Sequence, residues 1–153
     1  MASRVLILAL SILATVAHAA GGGGGGGPSF VDGKINYFAL EPPFVVNLRD
    51  GDRLRFMQAS IQVMTYDTHV IDAIQKHSAP LRHSLLMLLS DQSVSTMYNA
   101  QARESIRTSA LAEVQRILEK YAGITTDHHV TGEDGKNHPS SVQELYFTNL
   151  VIQ

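Results

Sequence analysis

The sequence predicts an α+β domain, a mostly antiparallel sheet with helices packed against it. Extended stretches come first, helical ones follow, and one more extended stretch closes the order. The apolar spacing changes after Thr65, from every second residue to every third or fourth. Between the second and third extended stretches sits Asp50-Gly51, where glycine supplies the positive φ that a tight hairpin requires.

Ile35 to Leu40 reads as the first strand. Pro42-Pro43 ends it, because neither residue can donate to a ladder. Phe44 to Leu48 resumes extended structure, Arg49 to Asp52 turns, and a long strand runs from Arg53 to Thr65. The pattern slips inside that strand. Leu54 and Phe56 are apolar on one phase, and Met57, Ala59, Ile61 and Val63 on the other. A period of two cannot put both sets on one face, so a β-bulge or a sharp twist is expected near Phe56–Met57. The alternative is a strand whose two ends are covered on opposite faces.

Asp67 or Thr68 caps a short helix reaching about His77, with Val70, Ile71 and Ile74 on one side. Pro80 suits the first turn of a second helix, whose stripe is Leu81, Leu85, Leu88 and Leu89. Ser93 to Tyr98 is a connection with room for a helical turn. Asn99 then caps the longest helix, where Ile106, Ala110, Leu111, Val114, Ile117, Leu118 and Tyr121 recur at helical spacing. Gly123 stops it. Ile124 to Ser141 is a polar loop, with Gly132-Glu133-Asp134-Gly135 as the tip of a small hairpin.

Gln143 to Gln153 is the closing strand, free of Gly and Pro and rich in aromatic and branched residues. Under strict alternation Tyr146, Leu150 and Ile152 point one way and Leu145, Phe147 and Val151 the other. Apolar residues on both faces predict a strand inside the sheet, covered on both sides.

The domain, residues 35–153, follows two other units. Residues 1–20 carry one charge, Arg4, then an apolar run from Val5 to Val16 and a small-x-small site at Ala17-His18-Ala19. This is the layout of a secretory signal peptide. A membrane anchor is the rival, although a span needs about 20 apolar residues. Residues 21–34 form a linker opening with polyglycine, Gly21 to Gly27, which no helix or strand survives.

The chain has 153 residues, 44 % of them hydrophobic, enough for one packed domain after a leader. The absence of cysteine excludes disulfides, thiolate metal sites and cysteine nucleophiles. A formal charge of −2 without a Lys/Arg cluster argues against nucleic-acid binding, which needs a concentrated basic surface.

Histidine is the most tempting chemistry. His128, His129 and His138 share one loop with Asp127, Glu133 and Asp134 and could serve a soluble periplasmic metal-binding protein. A glycine-bearing loop, however, holds ligands at no defined spacing, and a solvated polar loop explains them as well. His69, His77 and His83 read as helix-surface polarity. No G-x-S-x-G elbow, P-loop or dinucleotide fingerprint appears. No catalytic, cofactor-binding or metal residue is therefore assigned, and no enzyme is expected.

Four segments, in order, resemble the FliL family of flagellar basal-body-associated proteins. They are Leu40-Glu41-Pro42-Pro43-Phe44-Val45-Val46-Asn47-Leu48, Pro80-Leu81-Arg82 with Leu88-Leu89-Ser90, Ala102-Arg103-Glu104-Ser105-Ile106-Arg107, and Leu145-Tyr146-Phe147-Thr148-Asn149-Leu150-Val151-Ile152-Gln153. The last is the most specific, with Leu150 where the family often has an aromatic. The similarity covers about Tyr37 to Gln153. It implies a periplasmic domain similar to the stomatin/prohibitin-like (band 7) fold, without catalytic residues or cofactor. It further implies association with flagellar stator units and basal body proteins at the inner membrane, self-association as a ring-like homo-oligomer, and support of rotation and motility. Family members usually carry a true transmembrane helix after a charged start, whereas this leader is short and signal-like. A divergent periplasmic adaptor unrelated to the flagellum is the remaining alternative.

Overall fold

The computed structural model describes residues 29–153; the leader, residues 1–20, and the polyglycine, residues 21–27, lie outside the described residues. In chain order the elements are β1 (Asn36–Ala39), β2 (Phe44–Asp50), β3 (Arg53–Thr65), α1 (Thr68–Lys76), α2 (Ser78–Ser90), α3 (Val94–Tyr98), α4 (Ala100–Ala122), β4 (His129–Thr131), β5 (Asn137–Pro139) and β6 (Glu144–Ile152). The α+β expectation holds, with antiparallel pairing throughout the named strands.

β3 is the hub of the main sheet. β1 lies opposite Gln62–Thr65 and β2 opposite Arg53–Ala59. β6 lies opposite Met57–Met64 and overlaps both. A strand has two edges, so β1 and β2 share one and β6 takes the other. Leu40 N–H donates to the Ile61 carbonyl at 2.9 Å in the gap between β1 and β2. They therefore behave as one edge strand broken at Pro42-Pro43. The hairpin joins Asp50 to Arg53 through Gly51-Asp52, with φ 60° at Gly51, the position where a two-residue turn favours glycine.

Two expectations are corrected. The closing strand is not interior: among the described residues β6 is an edge strand paired only to β3. Its register steps from Ser60↔Asn149 to Ile61↔Phe147, leaving Thr148 without a partner. That extra residue resets the alternation. Leu145, Phe147, Leu150 and Ile152 thereby all belong to the core side, while Tyr146 and Val151 are exposed. Counting by twos through Thr148 splits this single apolar face in two. The second correction concerns β3. Its pairing with β2 runs unbroken through Asn47↔Phe56 and Val46↔Met57, so no bulge sits there. Leu54 and Phe56 keep the strand's period and lie on the outer face, 67 % and 61 % exposed.

The inner face packs against the helices, α2 over β2 and α4 over β6, with α2 and α4 against each other. Phe44, Leu48, Met57, Ile61, Leu85, Leu89, Leu118 and Leu145 are among the fully buried side chains. Each such burial is worth about 1.5–3 kcal/mol. The helix starts follow the capping residues: Asp67 accepts from His69 N–H, Ser93 from Thr96 N–H and Asn99 from Ala102 N–H. On α4 the buried stripe is Ile106, Ala110, Val114, Ile117 and Leu118. Leu111 is half-buried, and Tyr121 is exposed and stacks on His77 with ring centroids 6.0 Å apart. Arg82 of α2 lies 4.2 Å over the Phe44 ring and donates to the Leu40 carbonyl at 3.0 Å, pinning the proline break under α2.

Candidate functional site

The histidine loop forms a clamp. β4 and β5 make the small hairpin expected at Gly132–Gly135. His138 stacks on Tyr66, centroids 3.7 Å apart and planes at 9°, and its Nε2 lies 3.0 Å from Asp134 Oδ1. That hydrogen bond, with a second from Lys136 N–H, holds the Asp134 carboxyl below its ordinary value. The His129 ring turns instead to the Asp127 carbonyl at 3.0 Å, and His128 is exposed. Among the described residues no three His, Asp or Glu side chains converge as a metal site. Ser140 donates to Asp67, the buried cap of α1. Asp134, His138 and Ser140 are thus used in holding the fold.

The same clamp receives the incoming chain. Residues 31–34, read from the sequence as the end of the linker, are bonded to the domain. Gly33 N–H donates to the Tyr66 carbonyl and Glu133 N–H to the Gly33 carbonyl, both at 2.8 Å. Asp32 accepts from the backbone and hydroxyl of Thr68, which lowers its pKa. A side chain at position 33 would put its Cβ 2.5 Å from the Thr131 carbonyl oxygen, on a backbone with φ 75°. The chain therefore enters beside the Thr65 end of β3. The Gly51 hairpin tip lies at the other end of that 13-residue strand, about 40 Å away at strand rise.

Among the described residues, two open surfaces flank β6. The first is the outer sheet face near the hairpin, where Val45, Leu54, Phe56 and Val151 are exposed. Val45, Phe56 and Val151 surround a shallow cleft of about 150 Å³. The second is a groove of about 510 Å³ between β6 and the start of α4, lined by Tyr98, Arg103, Arg107, Phe147, Leu150 and Ile152. Arg107 closes one end of it. Its guanidinium pairs with Glu104 at 2.6 Å and Glu144 at 2.8 Å and donates to the Leu145 carbonyl at 3.1 Å. The Glu104 hydrogen bond is the main cause that raises the Arg107 pKa and holds the Glu104 carboxyl below its ordinary value. Local desolvation, together with the Glu144 charge, pushes the Tyr146 hydroxyl up.

Arg103 donates to the Met97 carbonyl at 3.0 Å and makes no ion pair among the described residues. The sequence expectations assigned no site residue here. Arg103 and Arg107 stand within the Ala102–Arg107 segment of the family resemblance, and that is the one signal that marked them. The geometry suits docking of another chain, since an apolar floor and a charged rim adjoin an uncovered strand.

Residues 37–153 match the family model described as flagellar basal body-associated protein FliL. The Flagellar protein FliL of Aquifex aeolicus (strain VF5) is 23 % identical over 116 residues, which takes in 76 % of this chain. The chain spans 60 % of the length of this curated relative. Among the described residues no helix is long and apolar enough to cross a membrane.

Proposed function

The chain belongs to the FliL family of flagellar basal body-associated proteins, and on that premise we propose that it is a non-enzymatic adaptor at the flagellar motor. In this reading the leader exports the domain, which stands in the periplasm at the inner membrane. There it associates with the stator units and supports rotation. The match over residues 37–153 carries the reading, because it spans the folded domain from β1 to the end of β6. We read the fold as stomatin/prohibitin-like, with copies joined head to tail in a ring. The exposed Val45, Leu54 and Phe56 offer apolar surface for such contacts.

The geometry gives this reading support. The tethered end and the apolar hairpin end lie at opposite ends of β3, so a domain held near a membrane presents the hairpin end away from it. Intact mass from the native host separates the two forms of attachment. A start at Ala20 means a free periplasmic protein held by protein contacts alone. A start at Met1 or Ala2 means an anchored one with polyglycine as its spacer.

Deletion of the gene tests the function. Swimming diameter in soft agar and stator occupancy, counted with a fluorescent stator subunit, should both fall and be restored by the full chain. Unchanged motility and stator occupancy would overturn the stator reading.

A further inference from the structure

The two edges of the main sheet are unlike. The β1/β2 edge is interrupted by Pro42-Pro43 and carries Arg49 and Asp50, devices that keep other strands from adding. β6 has no proline, lysine or arginine, and its only charged residue is Glu144 at the start. Hydrogen bonding shows which of its groups are free. Phe56 and Gln153 exchange both backbone bonds, at 3.1 and 2.8 Å. In an antiparallel ladder such pairs alternate with non-bonded ones. Val151 therefore also faces β3, and the N–H and C=O groups of Leu150 and Ile152 point outward. Further back, Arg107 already covers the Leu145 carbonyl. The open edge thus begins where Arg107 ends, and it borders the groove.

We propose that this edge binds an extended segment of a partner protein by strand addition. The segment would bond to the outward groups of Leu150 and Ile152, place alternate apolar side chains in the groove, and set a carboxylate against Arg103. Charge selects this occupant. Of the groove's charged groups, Arg107 is held by Glu104 and Glu144, while Arg103 makes no ion pair among the described residues and keeps its guanidinium open to a carboxylate. Exposed Tyr98, 68 % accessible on the α3 rim, adds an aromatic wall. A second copy can add its own β6 about a two-fold axis but fits less well, since the one carboxylate on that strand, Glu144, is already tied to Arg107. The inference rests on the adaptor reading for its biology but not for its chemistry, which purified protein tests alone.

The probe is a displayed library of random nonapeptides panned against the purified full chain. Enriched peptides should alternate apolar and polar residues and carry Asp or Glu. Arg103→Glu should weaken their binding about tenfold or more. N-methylation of alternate peptide amides should do the same without touching the protein, which keeps the test valid if Arg103→Glu alters the fold. Peptides whose binding survives both changes would overturn the proposal, as would a failure of any peptide to enrich. A dimer by sedimentation that Thr148→Pro or Ile152→Pro abolishes would also overturn it, in favour of a second copy on this edge. Loss of motility on gene deletion is a separate readout, so either idea can fail while the other stands.

Discussion

The guanidinium of Arg107 on α4 donates to the main-chain carbonyl of Leu145 on β6 at 3.1 Å. This bond joins the longest helix to the edge strand. It also marks where the edge changes from covered to open. With the Glu104 and Glu144 carboxylates on the same guanidinium, it is a three-way tie whose geometry a lysine cannot reproduce.

Arg107→Gln should therefore destabilise the domain by about 1–2 kcal/mol, from charged hydrogen bonds in a partly buried setting. Arg107→Lys should recover less than half of that. Urea unfolding followed by circular dichroism measures both; a loss equal to that of an exposed control such as Arg116→Gln would contradict the tie.

The one-sidedness of β6 makes a paired prediction. Leu145 is fully buried, so Leu145→Ala should cost about 2–5 kcal/mol. Val151 lies on the outer face, and Val151→Ser should stay within about 0.5 kcal/mol. Comparable losses at both positions would restore a strand covered on both faces.

Deletion of Thr148 tests the bulge. Without the extra residue, Phe147 and Asn149 become neighbours, the pairs Ile61↔Phe147 and Ser60↔Asn149 join in one regular ladder, and Leu150 and Ile152 stay on the core side. The deletion should therefore cost no more than about 1 kcal/mol. An alanine inserted after Asn149 turns Leu150 and Ile152 to the outer face instead and should cost about 2–4 kcal/mol. A deletion as costly as that insertion would mean that Thr148 is not a surplus residue.

Acid should loosen the domain through named carboxylates. Asp32, Glu104 and Asp134 are held below their ordinary values, by Thr68, Arg107 and His138 respectively. A depressed folded pKa means the unfolded chain takes up the proton first. The stability from these contacts is therefore fully present above the ordinary values, 4.5 for Glu104 and 3.8 for the aspartates, and is lost as pH falls through the lower folded ones. The thermal midpoint should drop below pH about 4.5, and Asp32→Asn with Glu104→Gln should flatten the drop. A slope unaffected by the double variant would assign the acid response to other groups.

Much of this architecture is legible in local chemistry. Capping side chains mark the starts of α1, α3 and α4, Asp50-Gly51 marks the hairpin, and Gly123 marks the end of α4. The errors arise where a non-local choice decides. Nothing in Leu54-Arg55-Phe56 tells whether the outer sheet face is covered, so apolar residues there look like a phase slip. Nothing in Phe147-Thr148-Asn149 announces an unpaired residue, because a bulge is set by the register with β3. The histidines mislead for a similar reason: His138 finds Tyr66 and Asp134 through the fold. Arg103 looks like an ordinary helix-surface cation until the groove beside it and its lack of an ion pair among the described residues are seen together.

The central structural claim is that β6 is an open edge whose backbone groups alternate between bonded and free. Amide hydrogen exchange on the full chain, resolved residue by residue by NMR, tests it most directly. The Val151 and Gln153 amides, which point to β3, should exchange at least about a hundredfold more slowly than those of Leu150 and Ile152. Equal protection at all four would contradict it, because the edge would then already be covered.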